Sequence, residues 1–354
     1  MENRDRGKEY FERMPLKELE LSRDEQFAVD LAVKVAEAVL PVSGVKQKDV
    51  PVSKRSHDFN YALDEIAEEI IRKEFVKSWQ IAETTGLSEV NAYITEDQGW
   101  VNPPDLKGKK IGTRFMIDPV DGTRPLLSGT EQACVTIAGT DGENEEAEFK
   151  DIKFGVTHFI KEGITYFVRR GEGVWKKEGD GKFEKVESRE NLSLNLKDCS
   201  TTTESYSFNM KYTGIVHDPL MRAMQYQISA PSGSWSVGSL VRGHNEVQVD
   251  VRDRIARDYP NHPDIKYDPV KSKGGYPMDV AASVLMIQEL GGKVTDAYGN
   301  DISPFPLWSF DNEGNWNSGN QLSLVSAITP ELHLQALDKI QEGFRNLEEE
   351  LRAA

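Results

Sequence analysis

Cysteine is nearly absent from this 354-residue sequence: Cys134 and Cys199 are the only two, far apart and at no metal-like or redox spacing. A disulfide framework has no support, and a reducing cytoplasm is the expected compartment. Long apolar runs are lacking too. Residues 1–21 are interrupted by charge throughout and contain no apolar core of an export signal, and no stretch approaches the length of a membrane span. Positive charge is in deficit, with 43 Lys and Arg against 59 Asp and Glu and a formal net charge of -16. Nucleic acids and anionic lipids are bound mainly through clustered basic side chains, so neither is an expected partner. His158, His217 and His244 stand apart with no partner at ligand spacing, so zinc is not indicated.

What is present is an ordinary globular composition, 38% hydrophobic and 29% charged. The length suits two intimately packed halves. Ser22 and Glu25 form a capping-box pattern, and Leu31, Ala32, Val35, Ala38 and Val39 then share one helical face, which predicts a helix from about Arg23 to Leu40. Leu63, Ile66, Ala67, Ile70 and Ile71 predict a second helix with Asp64 near its start. Short strands are expected from Val90 to Thr95 and over GTRFMIDP to Asp118, and a β-meander from Ile152 to Trp175. A polar tract from Asp180 to Ser207 places a boundary near Asp198. That gives an α+β subdomain over residues 22–197 and an α/β subdomain over 198–345. Expected in the second are a helix around Pro219 to Gln227, a Ser/Gly-rich turn at Gly233 to Leu240, a helix from Met278 to Leu290, a strand KVTDA and a C-terminal helix from about Pro330.

The strongest chemical signal is IDPVDGT, Ile117 to Thr123. Asp118 leaves a strand, Pro119 ends its pairing, and Asp121 returns toward the same point. Two carboxylates and the Val120 carbonyl can then converge on a hard cation. Gly122 permits close backbone approach, and Pro125 suits the first turn of a helix, so the amides of Gly122 and Thr123 would face an anion. Alone, such a segment would be explained as an Asp-rich turn. It is joined by Glu96 and Asp97 at the end of the preceding strand and by Asp279 at the start of DVAASVLMIQEL, which a Gly-Gly stop ends.

These motifs, with Asp58 and Asp64 in D-x-x-x-x-x-D, occur in the order found in the inositol monophosphatase superfamily, which the chain resembles from about Ser22 to Leu337. That superfamily comprises magnesium-dependent, lithium-sensitive phosphatases and includes fructose bisphosphatases and bisphosphate nucleotidases. The resemblance implies a layered α-β-α-β-α sandwich combining α/β and α+β parts, two or more Mg2+ ions, a small phosphorylated metabolite as substrate and a homodimer. It further implies that Glu96, Asp118 and the Val120 carbonyl bind a first metal, which carries the nucleophilic water, and that Asp118, Asp121 and Asp279 bind a second. Thr123, supported by Asp64, would orient the water, and Glu96 would assist its deprotonation. The turn around Gly238 and Ser239 resembles the family's substrate-side element, although a capped strand-to-helix turn explains it nearly as well.

The sequence departs from the family pattern before Asp279, where KSKGGYPMD replaces an acidic approach and brings Lys271 and Lys273, and after Thr123, where Arg124 and Pro125 follow. With Gly122 and Thr123 cradling phosphate, Arg124, Lys271 and Lys273 would favour a substrate with a second phosphate or other anionic group. Fructose bisphosphatase or bisphosphate nucleotidase activity is therefore the alternative within the class. A catalytically silent relative and a carboxylate-metal nuclease are the rivals outside it; the acidic balance opposes the nuclease.

Overall fold

Ser22 opens the first helix, α1 (Arg23–Val39), by the reciprocal cap that the sequence predicts: the Ser22 amide donates to the Glu25 carboxylate at 2.7 Å and the Glu25 amide donates to Ser22 Oγ. Ala28, Leu31, Ala32, Val35 and Val39 form its buried stripe. The computed structural model describes residues 19–44, 52–53, 60–96, 98–104, 108–188, 192, 194–204, 210–263, 265, 274–309 and 320–353. After α1 come β1 (Val52–Ser53), β2 (Asn60–Tyr61), α2 (Ala62–Thr85), β3 (Glu89–Thr95), β4 (Gly99–Val101), β5 (Lys110–Asp121), α3 (Thr123–Leu127) and β6 (Cys134–Asp141). The meander follows as β7 (Phe154–Phe159), β8 (Ile164–Arg169), β9 (Gly173–Glu178) and the short β10 (Glu184–Lys185). The second half runs β11 (Ser200–Thr203), α4 (Met210–Ala223), β12 (Tyr226–Ser229), α5 (Gly233–Arg242), β13 (Val247–Asp250), α6 (Arg252–Asp258), α7 (Pro277–Glu289), β14 (Lys293–Asp296), β15 (Leu324–Ala327) and α8 (Pro330–Ala353).

Two main sheets result. The first has the order β10-β9-β8-β7-β6-β5-β3-β4, antiparallel except where β3 and β5 run parallel. The second has the order β12-β11-β13-β15-β14, with β11 parallel to both β12 and β13. Helices α1 and α2 cover one face of the first sheet; α5 and α7 lie between the sheets, and α4 and α8 cover the second sheet's outer face. The architecture is a layered α-β-α-β-α sandwich. The middle layer explains the composition of α7: Val280, Ala281, Ala282, Val284, Leu285, Met286 and Ile287 are all buried, because a helix between two sheets has no solvent face. On the outer layer, a Cβ at Gly343 of α8 would lie 2.0 Å from the Val216 carbonyl oxygen, so only glycine lets α4 and α8 approach this closely.

Two sequence expectations are corrected. The segment Gly233 to Leu240 is not a turn but most of helix α5, capped by Ser232, whose Oγ accepts from the Trp235 amide at 3.2 Å. Pro219 does not begin its helix but lies inside α4, and the chain is already the strand β12 at Tyr226. Both cysteines are buried free thiols, and no helix among the described residues is long and apolar enough to cross a membrane.

Candidate active site

Residues three apart on a regular strand point to opposite faces. The strand β5 breaks that rule where it matters. Asp118 pairs with Thr136 and Asp121 with Cys134, so three steps on β5 match two on β6, a bulge containing Pro119 and Val120. The extra residue brings the Asp118 and Asp121 carboxylates to one side. The pairing therefore does not end at Pro119, as the sequence predicts, but is bulged there and resumes at Asp121, because a proline has no amide to lose from the ladder; the Val120 amide donates to Asp118 Oδ1 at 3.0 Å. Gly122 follows with φ +91°, and a Cβ there would lie 2.2 Å from the Gln132 carbonyl oxygen, so glycine is required at this turn.

The third carboxylate arrives from another layer. Pro277 occupies the first turn of α7, and Asp279 two residues on accepts from the Tyr276 amide at 2.9 Å, an acidic N-terminus that the helix dipole favours. Asp121 is held from α5: its Oδ2 accepts from Ser232 Oγ at 2.8 Å and from the Ser234 amide. Ser234 Oγ in turn donates to the Asp279 carbonyl. Thus β5, α5 and α7 are pinned together around the carboxylates.

Electrostatics show how closely they crowd. The Asp118 carboxyl is pushed well above the usual carboxylate range, first by burial and then by the charges of Asp121, Asp279 and Glu96. Asp279 is raised for the same reasons, burial first and then Asp121 and Glu96, partly offset by the Tyr276 amide and by a side-chain hydrogen bond with Asp118. Asp121 is raised by burial against the opposing pull of Ser232 and Ser234. Glu96 follows β3, is exposed, and reaches Asp118 and Asp279 by its charge.

On the opposite flank, Thr123 opens α3. Its Oγ1 lies 3.0 Å from both Asp64 Oδ1 and the Val120 carbonyl oxygen. A hydroxyl has one proton, so donation to either acceptor leaves its lone pairs to receive a hydrogen bond from another molecule. Arg124 is exposed beside it. Gly238 and Ser239 lie on the buried length of α5: a Cβ at Gly238 would sit 2.8 Å from Phe159, and Ser239 Oγ donates to the Ser236 carbonyl and accepts from Asn245. It is the N-terminal end of α5, not these two residues, that approaches Asp121. Asp58, Asp97, Lys271 and Lys273 lie outside the described residues.

Sequence reasoning missed a neighbouring charge network. Glu204 and Asp250 follow or end the parallel strands β11 and β13, and Arg252 bridges them, with Nη2 at 2.6 Å from Glu204 and 2.7 Å from Asp250, and Nε at 2.9 Å from Asp250. All three are at most 5% exposed. Burial pushes the Glu204 carboxyl well up against the pull of Arg252, and the charges of Asp250, Asp121 and Asp279 push the same way as burial. Carboxyl ends of parallel strands are where α/β sheets present ligand-binding groups. That position was the available signal, but four-residue strands hid it.

Among the described residues, no group of three or more His, Cys, Asp or Glu is set in metal-holding proximity. The donor chemistry nonetheless fits a hard cation: desolvated, mutually repelling carboxylates and a strand carbonyl, with no sulfur or imidazole, suit magnesium.

Fold and site together define a class: a five-layered α/β molecule that gathers acidic side chains from a strand bulge and helix starts between its sheets. The chain belongs to the inositol monophosphatase family, whose model matches residues 20–342. This is a family of metal-dependent phosphatases. In fold the chain is similar to the extragenic suppressor protein suhB from Bartonella henselae, at 18% identity over 91% of this chain and 100% of that one with a TM-score of 0.64. It is also similar to the IMPase of Thermotoga maritima, at 17% identity over 92% and 100% with a TM-score of 0.63. Inositol monophosphatase-II from Staphylococcus aureus follows at 14% identity over 93% and 97% with a TM-score of 0.59. No curated protein is a significant match.

Proposed function

We propose that the protein is a magnesium-dependent phosphomonoesterase acting on a small phosphorylated metabolite. The observation that carries this reading is the meeting of three desolvated aspartates from two layers beside a hydroxyl held by Asp64. Glu96, Asp118 and the Val120 carbonyl would hold one Mg2+, and Asp118, Asp121 and Asp279 a second. When bound, the ions neutralise phosphate charge and make water more acidic. The chain's own residues do the rest. Thr123, with its proton engaged, accepts a hydrogen bond from the attacking water and so aims the water's remaining lone pair at phosphorus. Glu96, exposed beside the aspartates, takes the water's proton as the new P–O bond forms and the ester P–O bond breaks, and the departing alkoxide leaves as the alcohol after taking a proton from solvent. The amides of Gly122 and Thr123, at the start of α3, bind a phosphoryl oxygen.

The substrate preference rests on Arg124, which follows this turn, and on two lysines known from the sequence alone. Arg124, with Lys271 and Lys273, favours a compound bearing a second phosphate or another anionic group over a simple inositol monophosphate. Lithium inhibits, calcium fails to replace magnesium because its larger radius and looser coordination misalign the groups, and the enzyme is a cytoplasmic homodimer. A phosphate-release panel of inositol monophosphate, fructose bisphosphate and phosphoadenosine phosphate tests the reading. Release from none of them in magnesium would refute it, and a clear preference for the simple monophosphate would refute the second-anion part alone.

A further inference from the structure

We propose that Glu68 and Gln98 are a pair of positioning residues that set the backbone carrying Glu96, so that one helix, α2, orients both flanks of the site. The proposal rests on the metal-dependent reading above for its consequence, but its geometry is independent of it. Asp64 and Glu68 are four residues apart on α2 and therefore share a face. Asp64 Oδ1 accepts from Thr123 Oγ1 at 3.0 Å. One turn further on, Glu68 Oε2 accepts from Gln98 Nε2 at 2.7 Å. The same helix face thus grips the Thr123 turn with one carboxylate and the segment after Glu96 with the next.

The second grip is built rather than incidental. Glu68 is only 6% exposed, and a buried carboxylate demands hydrogen-bond donors, which makes a charge-assisted bond to an amide strong and directional. Gln98 is also tied at its backbone, where its amide donates to Thr95 Oγ1 at 3.2 Å. Thr95 is fully buried and ends β3, and it pairs with Gly99, which begins β4 with φ +63°. Glu96 lies between Thr95 and Gln98, so the chain is fixed on both sides of it along this short path. Glu96 itself is exposed, and its reach toward Asp118 and Asp279 depends on where the backbone presents it. Gln98 supplies that placement from outside the set of charged groups, in the way that outer partners orient ligands at metal sites.

The test uses the full chain with Gln98→Ala, Glu68→Leu and Glu68→Gln. Glu68→Gln keeps a carbonyl oxygen to accept from Gln98, whereas the other two remove the bond. Calorimetric titration with Mg2+ alone is expected to show affinity about 10-fold weaker in Gln98→Ala and Glu68→Leu and largely restored in Glu68→Gln. Substrate KM at saturating Mg2+ should stay near the wild-type value, since Glu68 is buried and the Gln98 side-chain amide is engaged by it. Amide hydrogen exchange in metal-free protein gives a readout that needs no metal: residues 95–101 exchange faster in Gln98→Ala while α2 keeps its protection. Wild-type exchange and Mg2+ affinity in Gln98→Ala would overturn the proposal. So would losses in Glu68→Leu and Glu68→Gln alongside wild-type behaviour in Gln98→Ala, which would mean that Glu68 acts by its charge and not by its bond to Gln98. A wild-type protein that binds no Mg2+ would instead overturn the metal reading, while the exchange result would still decide the pair.

Discussion

Replacing Asp118 by Asn separates stability from activity. Asp118 is 5% exposed, and its carboxyl is raised by burial first and then by Asp121, Asp279 and Glu96. Asn keeps an oxygen for the Val120 amide and adds an N–H toward the remaining carboxylates, while removing one buried like charge. Substituting a poorly compensated buried charge by a neutral group of the same shape stabilises by about 2 kcal/mol. Unfolding entropy of about 2.1 cal/mol/K per residue, taken over 354 residues, is roughly 0.7 kcal/mol/K, so Tm should rise by about 3 °C in EDTA. The sign with pH follows from the raised carboxyl. Between its unfolded and folded pKa the native state binds the extra proton, so wild-type stability falls as pH rises through that window. The advantage of Asp118→Asn in EDTA should therefore be small near pH 4 and grow toward neutral pH. In magnesium the order reverses, because binding to the native state stabilises wild type by about 2.7 kcal/mol at 100 times Kd. Turnover by the variant falls at least ~1000-fold, a loss of about 4 kcal/mol in transition-state stabilisation. Thermal unfolding from pH 4 to 8, with and without Mg2+, together with turnover, measures all of this; a variant less stable than wild type in EDTA at neutral pH would refute the reasoning.

Thr123→Val should lower kcat by about 100-fold or more while Thr123→Ser keeps most activity, since only the hydroxyl held by Asp64 is at stake; equal loss in both would point to packing instead. Arg252→Met should destabilise by about 3–5 kcal/mol in chemical denaturation because it strands Glu204 and Asp250 in the interior, and a change below about 1 kcal/mol would count against the buried network. Gly122→Ala should cost about 2 kcal/mol or more and disable the turn, because its Cβ would meet the Gln132 carbonyl at 2.2 Å with φ at +91°; an unchanged Tm would contradict this.

Legibility in the sequence followed how locally each signal was encoded. The cap at Ser22 and Glu25 needs only four adjacent residues, and α1 begins where they predict. IDPVDGT carries its own irregularity: Pro119 and Gly122 act within the motif, so the convergence of Asp118 and Asp121 could be anticipated. The second sheet was harder. Its strands STTT, YQIS, VQVD and LVSA are four residues each, too short to display alternation, and they find their partners from distant parts of the chain. Helix α5 was misread because Gly233, Ser234, Ser236, Gly238 and Ser239 look like a loop, whereas between two sheets small residues permit close packing. Arg252 carries no local signal in the sequence, because only the fold brings it between Glu204 and Asp250 at the ends of β11 and β13. Glu68 and Gln98 were equally silent, being 30 positions apart and joined only by the fold.

The central claim is metal-dependent phosphate release from a small monoester, and the most direct measurement is inorganic phosphate produced by the purified protein from the three-substrate panel. Expected are release from at least one substrate in Mg2+, its loss in EDTA, its return on adding Mg2+ back, and no release by Asp118→Asn in either condition. Phosphate release that persists unchanged in EDTA, or that Asp118→Asn retains at the wild-type rate, would contradict it.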